Sequence, residues 1–273
     1  MYNEFYGFTE SPFNMTPDSR FFFESAKHTE ALSTLLYAIQ ERKGFVVVTG
    51  EIGSGKTTVC RTVLNRLGAD IEFALVTNTH LGAKDLLSTI LEDLGVEHNP
   101  GSKARLLSRL NAYLIGRLHE DKNVVLIIDE AQNLKPSVLE EVRMLSNLET
   151  ESEKLIQIVF LGQPELKKKL ALPRLEQLRQ RIAVYFHLMP LSTQDAVAYI
   201  RHRLKIACGN TEKELFTEQA MQIAAEFSNG VPRIINQVCD SALLSGYVKD
   251  QPVVDADLME EVVSESPLAQ ITG

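Results

Sequence analysis

The segment that most constrains this chain is a glycine-rich stretch between a β-branched run and a helical pattern. The run at residues 45–49 leads into Gly50-Glu51-Ile52-Gly53-Ser54-Gly55-Lys56-Thr57-Thr58, which matches the pattern G-x-x-x-x-G-K-[ST]. Glycines allow such a stretch to curl until successive backbone N–H groups point at one anion, and the following helix adds its own unpaired N–H groups. The alternative is a glycine-rich turn that caps an ordinary helix, but the flanking strand and helix favour phosphate binding.

The end of the pattern extends this prediction to a nucleoside triphosphate and its metal. Lys56 would place a positive charge at the β- and γ-phosphates, and Thr57 would offer its hydroxyl to Mg²⁺. We therefore expect residues 50–58 to form the cradle for the phosphates, with ATP and Mg²⁺ as the bound species.

Composition is that of an ordinary globular protein and argues against several other classes. The longest uncharged apolar runs span about five residues, whereas a membrane helix needs about 20. The start of the chain has neither the basic nor the apolar region of a secretory signal. The three cysteines are widely spaced, without metal-ligand spacing, and a net charge of −8 weighs against a broadly basic nucleic-acid surface. We expect a cytoplasmic protein that reaches the inner face of the membrane only through a partner.

Strand-like and helical patterns alternate over the first two thirds of the chain. Apolar positions at helical spacing separate five β-rich segments, and Ser102 and Pro136 are expected to begin two of the helices. The β-rich segments are residues 45–49, 72–76, 124–128, 156–161 and 183–188. This alternation predicts an α/β fold, a three-layer core in which helices cover both faces of a parallel sheet.

The pattern changes after residue 188, because only helical patterns follow. Ser192 is expected to cap the first of them, and the others lie at about 218–227, 233–248 and 255–263. We therefore predict an α/β core with an N-terminal linker segment over residues 1–188, a small all-helical domain over 189–264 and a frayed tail over 265–273.

Two carboxylates follow the most apolar of the predicted strands. Asp129 and Glu130 come directly after the run at residues 124–128, at the strand end where open α/β sheets place ligands. Asp129 would hold the Mg²⁺ that Thr57 also reaches. Glu130 would polarise a water for attack on the γ-phosphate, which favours hydrolysis over phosphate transfer to a bound substrate.

Gln163 lies at the end of the next predicted strand. A polar side chain there can sense the γ-phosphate or orient the attacking water. The alternative is a turn residue that caps the helix beginning at Pro164.

Three arginines are candidates for contacts with phosphate. Arg179 and Arg181 directly precede the fifth predicted strand. They could be surface charges at a helix end, or one of them could be a trans-acting finger that enters a neighbouring subunit's site. We favour the finger, with Arg181 ahead of Arg179. Arg233 falls in the first turn of a helix, where a cation opposes the helix dipole unless an anion is close. A nucleotide phosphate would be that anion; a local ion pair, for example with Glu226, is the alternative.

Further motifs extend over nearly the whole chain. They are Phe5-Tyr6-Gly7-Phe8, Ser11-Pro12-Phe13, Thr16-Pro17-Asp18, Phe21-Phe22, Glu30-Ala31-Leu32, Asp129-Glu130-Ala131-Gln132-Asn133-Leu134, Gly162-Gln163-Pro164-Glu165-Leu166, residues 175–182, and Gly230-Val231-Pro232-Arg233 with Ile235-Asn236. With these elements in register, the chain resembles the AAA+ ATPases and, within them, the ExeA-like group, also called general secretion pathway protein A.

The resemblance implies a P-loop core with a helical lid, ATP in the cleft between them, and oligomers in which an arginine completes a neighbour's site. It also implies that the N-terminal segment packs near the adenine, where Pro12 and Phe13 are the candidates. Gln163 departs from the Asn, Thr or Ser that is usual at the sensor position of AAA+ proteins. Members of the secretion group often continue into a membrane span and a peptidoglycan-binding domain; cell-wall binding is not carried over to this sequence.

Similar modules serve type II secretion and the assembly of pili or exopolysaccharide. The sequence thus predicts an ATP-hydrolysing module that drives oligomer-coupled conformational change in a secretion, pilus or polysaccharide-export assembly, with protein partners at a membrane. Two alternatives stay open. One is a DNA-associated regulator of the transposition-helper type, against which the acidic balance and the lack of a helix-turn-helix or zinc motif weigh. The other is a nucleotide-gated scaffold that barely hydrolyses ATP, against which Asp129 and Glu130 weigh.

Overall fold

The computed structural model describes residues 2–16, 18–99, 101–150, 153–209, 211 and 213–267. Two compact units divide these residues. The sheet unit comprises Glu30–Ile52 and Val59–Leu188; the helical unit gathers the residues up to Thr29, Gly53–Thr58 and the residues from Met189 onwards. None of the helices in the described ranges combines the length and the apolar character needed to cross a bilayer.

A five-stranded parallel sheet forms the centre of the sheet unit. Its strands are β1 Phe45–Gly50, β2 Ile71–Val76, β3 Asn123–Ile128, β4 Gln157–Gly162 and β5 Ile182–Leu188, in the spatial order β2-β3-β4-β1-β5. All neighbouring pairs are parallel. The three inner strands are buried along their whole length, so both of their faces are covered, as their unbroken apolar runs require. The predicted α/β fold is confirmed, with strand limits within one residue of the expected ones.

Helices precede the first strand, separate most of the strands and follow the last one. In the described residues they are α1 Tyr2–Tyr6, α2 Ala26–Gln40, α3 Lys56–Arg66, α4 Ala83–Asp93, α5 Lys103–His119, α6 Pro136–Leu145, α7 Pro164–Leu170, α8 Glu176–Gln180, α9 Thr193–Ala207, α10 Glu218–Phe227, α11 Pro232–Val248 and α12 Ala256–Glu265. The expected starts hold: the Ser102 and Ser192 side chains accept a hydrogen bond from the third residue of α5 and α9, and Pro136 begins α6.

One large apolar core lies against the sheet. Fully buried leucines and isoleucines of α4, α5 and α6 pack on the side chains of β1, β3 and β4 that point to that face, including Phe45, Leu126 and Phe160. The rings of Phe45 and Phe160 stack with their centroids 5.7 Å apart. Helix α2 has no counterpart among the predicted elements, although Leu32, Leu35 and Ile39 recur at helical spacing and are buried.

The helical unit has its own core, and the start of the chain belongs to it. Tyr6, Phe8 and Phe13 are buried together with apolar side chains of α9, α10 and α11. This differs from the predicted boundaries, which assigned residues 1–29 to the α/β core: the aromatic side chains of that segment find their apolar partners among the C-terminal helices instead. The predicted tail also begins too early, since α12 runs to Glu265; residues 268–273 lie outside the described residues.

Candidate functional site

The glycine-rich loop adopts the curled backbone that the motif predicts. Gly53 and Gly55 have positive φ angles of 80° and 96°, which side chains with a β-carbon rarely adopt. At Gly53 a β-carbon would also lie 2.5 Å from Cβ of Arg233. Both glycines are therefore required, one by backbone conformation and the other by conformation and space.

The side chains that close the loop suit a bound oxyanion. Lys56 opens α3 and is only 6% exposed, so a buried cation begins the helix that follows the loop. Ser54 is fully buried, and its hydroxyl has no hydrogen-bond partner among the described residues. A buried polar atom without a partner is costly unless a ligand or water satisfies it. The loop therefore fits the phosphates of the predicted nucleotide.

His28, which the sequence analysis did not single out, supports the loop from α2. Its Nε2 lies 3.3 Å from the Ser54 carbonyl oxygen and its Nδ1 lies 2.8 Å from Oγ of Ser25. Because the carbonyl can only accept, Nε2 carries the hydrogen and Nδ1 accepts from the Ser25 hydroxyl. Burial lowers the pKa of His28, which favours this neutral form. The imidazole thus ties the Ser54 carbonyl to α2.

Arg233 lies beside the loop, as a phosphate contact would require. Its backbone N–H donates to the Gly53 carbonyl oxygen at 3.3 Å, and α11 begins one residue earlier at Pro232. The side chain is exposed and forms no ion pair within the part of the chain that the structure describes, Glu226 included. Among the described residues, therefore, no ion pair with a carboxylate offsets its helix-dipole cost.

The two carboxylates lie where β3 ends, in an unusual backbone conformation. Asp129 is 7% exposed, and its Oδ1 accepts from the backbone N–H of Glu130 at 2.8 Å. Glu130 is left-handed, with a φ of 51°, and it opens a short 3₁₀ turn over Ala131–Asn133. The Thr79 hydroxyl donates to its carbonyl oxygen at 3.2 Å. A non-glycine residue in this region carries backbone strain, which the surrounding contacts must hold in place.

A set of amides surrounds the Glu130 side chain. Gln163 donates from Nε2 to Oε2 of Glu130 at 2.9 Å, so the predicted sensor and the predicted base are in direct contact. Gln132 donates to the same oxygen at 2.5 Å, and its own Oε1 accepts from the Gln163 backbone N–H at 3.0 Å. Gln132 was not predicted as a site residue; its spacing of two from Glu130 and the amide at the end of β4 were the available signals.

The two candidate finger arginines are both exposed on the sheet unit. Nη1 of Arg181 donates to Oγ of Ser146 at 2.6 Å and to Oδ1 of Asn147. Nη1 of Arg179 donates to the Ala171 carbonyl at 3.3 Å. Neither forms an ion pair with a carboxylate of the described residues, and their predicted role in a neighbouring subunit stays a prediction.

The N-terminal candidates take a different role from the predicted one. Phe13 is 1% exposed and its ring packs edge-on against Phe216 at 6.1 Å, so it has no free face for a base. The Pro12 carbonyl accepts from Nε of the buried Arg203, whose guanidinium also stacks 4.5 Å over the Phe21 ring. Both candidates therefore anchor the segment in the helical core. Direct contact with adenine is not compatible with this burial.

The predicted metal site has few protein donors. Within the described ranges, no group of three or more His, Cys, Asp and Glu side chains could hold a metal ion. Mg²⁺ keeps several waters and takes one or two carboxylates plus phosphate oxygens, so Thr57 and Asp129 suit it in their donor chemistry.

Comparisons with known proteins agree with this architecture. Residues 39–170 match the family described as AAA domain. General secretion pathway protein A of Aeromonas hydrophila is 41% identical over 260 residues, which cover 94% of this chain and 47% of that protein. The chain therefore spans about half the length of this relative. The predicted resemblance to AAA+ proteins of the general secretion pathway protein A group is confirmed.

Solved structures share the fold at low sequence identity. The Aeropyrum pernix ORC2 protein, in ADPNP–ADP complexes, has a TM-score of 0.73 at 15% identity, covering 94% of this chain and 72% of that one. The Thermotoga maritima RuvB Holliday junction branch migration motor has a TM-score of 0.60 at 18% identity, covering 89% and 70%. At such identities the likeness concerns the fold alone.

Proposed function

Since this chain carries an AAA domain at residues 39–170 and is similar to general secretion pathway protein A, we propose that it binds ATP with Mg²⁺ and hydrolyses the γ-phosphate. The observation that carries this proposal is the Glu130 carboxylate. Its Oε2 accepts from two amides, while Oε1 accepts no hydrogen bond from the described residues. A carboxylate fixed at one oxygen and open at the other is suited to accept a proton from an attacking water.

The loop supports nucleotide binding by separate reasoning. The positive φ angles of Gly53 and Gly55 allow neighbouring backbone N–H groups to face one anion, and the Ser54 hydroxyl, which has no partner among the described residues, adds a donor. Lys56 supplies the point charge for the β- and γ-phosphates, as in other P-loop proteins. Arg233, which has no carboxylate partner among the described residues, would contact the γ-phosphate.

Thr57 and Asp129 would hold the magnesium ion. When bound, Mg²⁺ would stabilise the negative charge that develops as the γ-phosphoryl group leaves. The segments that follow β1, β3 and β4 all leave the sheet at its carboxyl edge, because the three strands are parallel neighbours. Lys56, Glu130 and Gln163 follow these three strands in turn, which supports a joint role.

A second copy of the chain would complete the reaction centre. The exposed guanidinium of Arg181, with Arg179 as the other candidate, would enter a neighbour's site and stabilise charge on the transferring phosphoryl group. Hydrolysis would then couple to rearrangement of an oligomer. The similarity to general secretion pathway protein A suggests that this oligomer acts on protein partners of a membrane-associated secretion, pilus or polysaccharide-export assembly.

The variant Glu130→Gln tests the proposed hydrolysis. Glutamine keeps the oxygen that accepts from both amides but cannot take a proton, so we expect kcat to fall by about 10²–10⁴-fold. ATP affinity, followed by titration with a fluorescent analogue, should change less than about threefold, because the loop is untouched. Glu97→Gln is the matched control, because Glu97 is an exposed glutamate outside the loop and the turn after β3. Unchanged turnover of E130Q would remove Glu130 as the base; ATP binding without turnover in the wild type would indicate a nucleotide-gated scaffold.

A further inference from the structure

The Gln132 side chain forms hydrogen bonds with both Glu130 and Gln163, although neither phosphate binding nor proton transfer has been assigned to it. Its side chain joins the Glu130 carboxylate on one side to the backbone at the end of β4 on the other. We propose that Gln132 is a positioning residue for ATP hydrolysis: it fixes the Glu130 carboxylate and makes its position depend on Gln163. This inference rests on the proposed ATPase function and adds a residue to it.

The three side chains form a closed ring of hydrogen bonds. Glu130 Oε2 accepts from Nε2 of Gln132 at 2.5 Å and from Nε2 of Gln163 at 2.9 Å. Gln132 Oε1 accepts from the Gln163 backbone N–H at 3.0 Å, which closes the ring. The glutamine amide can donate a hydrogen bond from its NH₂ group and accept another at its carbonyl oxygen at the same time. Glutamate at position 132 would keep the acceptor and lose the donor; alanine would lose both.

The backbone holds Gln132 at this place. The left-handed Glu130 turns the chain back on itself, and the 3₁₀ turn over Ala131–Asn133 brings the side chain two residues later over the carboxylate. Nζ of Lys169 on α7 donates to the carbonyl oxygens of Gln132 and Leu134, the latter at 2.9 Å. The turn after β3 is thus tied to the helix after β4 through both backbone and side chain.

A glycine at the end of β4 leaves room for the amide. At Gly162 a β-carbon would lie 3.0 Å from Oε1 of Gln132 and 2.8 Å from Cδ2 of Leu166. Since Leu166 is fully buried, it cannot move aside easily. Any larger residue at 162 would press on the ring of hydrogen bonds.

The consequence for chemistry concerns which carboxylate oxygen is available. With two N–H donors on Oε2, that oxygen has no lone pair left in good geometry for water. Oε1 is then the oxygen that accepts the proton, and its direction is set by the two amides before substrate binds. Preorganisation of this kind raises kcat without strengthening ground-state binding. A shift of Gln163 on sensing phosphate would reach Glu130 by two routes, one of them through Gln132.

The variants Gln132→Glu and Gln132→Ala test the proposal in the full chain. For both we expect kcat to fall by about 10–100-fold, with KM for ATP and the melting temperature nearly unchanged. Gln219→Glu is the matched control, since Gln219 is exposed on α10. Added to Glu130→Gln, the Gln132 substitutions should have almost no further effect on kcat, because they act through the same carboxylate.

A readout without nucleotide checks the geometry itself. Hydrogen exchange of the Gln163 backbone amide should speed up in Q132A, which lacks the acceptor, and stay slow in Q132E, which keeps it. A kcat equal to or above that of the wild type in both Gln132 variants overturns the positioning role. If the wild type binds ATP without turnover, the hydrolysis proposal fails together with this one, which distinguishes that outcome from a failure of Gln132 alone.

Discussion

The two polar centres of this chain are built on opposite principles. The loop at residues 53–56 depends on its backbone: Gly53 and Gly55 allow positive φ angles, and His28 from α2 tethers the Ser54 carbonyl. The turn after β3 uses side chains, and its backbone serves to bring them together, as the left-handed Glu130 does. The first arrangement is suited to binding a phosphate, and the second to accepting a proton during the reaction. Substitutions should therefore affect binding at one centre and turnover at the other.

The largest effect is expected at a third group, an arginine that another subunit would add to the two centres. Removing a trans-acting arginine typically costs about 10³-fold or more in turnover, so we expect Arg181→Ala to abolish most of the ATPase activity. Mixing R181A with Lys56→Ala should restore part of it, because each variant supplies what the other lacks. Arg105→Ala is the control, since Arg105 is an exposed arginine on α5.

The mixture is the decisive arm of that experiment. A finger that acts within its own chain gives no recovery, whatever the ratio of the two variants. Full activity of R181A alone would return Arg181 to its contacts with Ser146 and Asn147 as a local surface arginine, and would leave Arg179 to be tested in the same way.

The next largest effect is expected at Gly53, where the curled backbone of the loop can be tested directly. A β-carbon at positive φ costs roughly 1–2 kcal/mol, and at Gly53 it would also meet Cβ of Arg233 at 2.5 Å. We expect Gly53→Ala to lower ATP affinity by about 100-fold, or about 2.7 kcal/mol, because the N–H groups turn away from the phosphates. Residual kcat at saturating ATP should stay close to that of the wild type.

A helical glycine offers the matched control for this change. Gly116 in α5 has no atom within 4 Å of an added β-carbon, so Gly116→Ala should stabilise the protein by roughly 0.5–1 kcal/mol with unchanged affinity. Wild-type affinity in G53A, measured by titration beside this control, would contradict the claim that the loop binds through its curled backbone.

The backbone centre could be predicted from the sequence and the side-chain centre only in part. The loop, the five β-rich segments and the caps at Ser102 and Ser192 obey local rules, in which a residue's own conformational preferences determine the structure. The turn after β3 depends on partners distant in sequence, such as Gln132 and the Gln163 amide, 31 residues later. The motif identified Glu130, but the pairing of strands β3 and β4 was needed to identify Gln132.

The N-terminal segment illustrates the same limit for apolar residues. An aromatic side chain such as Phe13 has the same sequence signature whether it packs on a nucleotide base or on a neighbouring ring. Only the fold shows that its partner is Phe216 and that the segment is fastened by Arg203, a buried guanidinium that satisfies backbone carbonyls instead of a carboxylate. The distinction lies in tertiary packing, which periodicity does not encode.

The smallest expected effect concerns the pH dependence of the support that His28 gives the loop. Burial lowers the pKa of His28 below its usual value of 6.5, so the folded protein binds fewer protons there than the unfolded chain at acidic pH. Stability from this residue is therefore complete above pH 6.5 and declines as the pH falls below it, by at most about 1.4 kcal/mol per pH unit.

His28→Gln keeps a donor for the Ser54 carbonyl without a titrating group, so its melting temperature should fall less than that of the wild type between pH 7.5 and 5.5. His202→Gln serves as the control for the other histidine whose pKa is lowered by burial. Parallel melting curves for the wild type and H28Q would show that the tether at Ser54 does not depend on the neutral imidazole, and that the backbone of the loop holds its shape unaided.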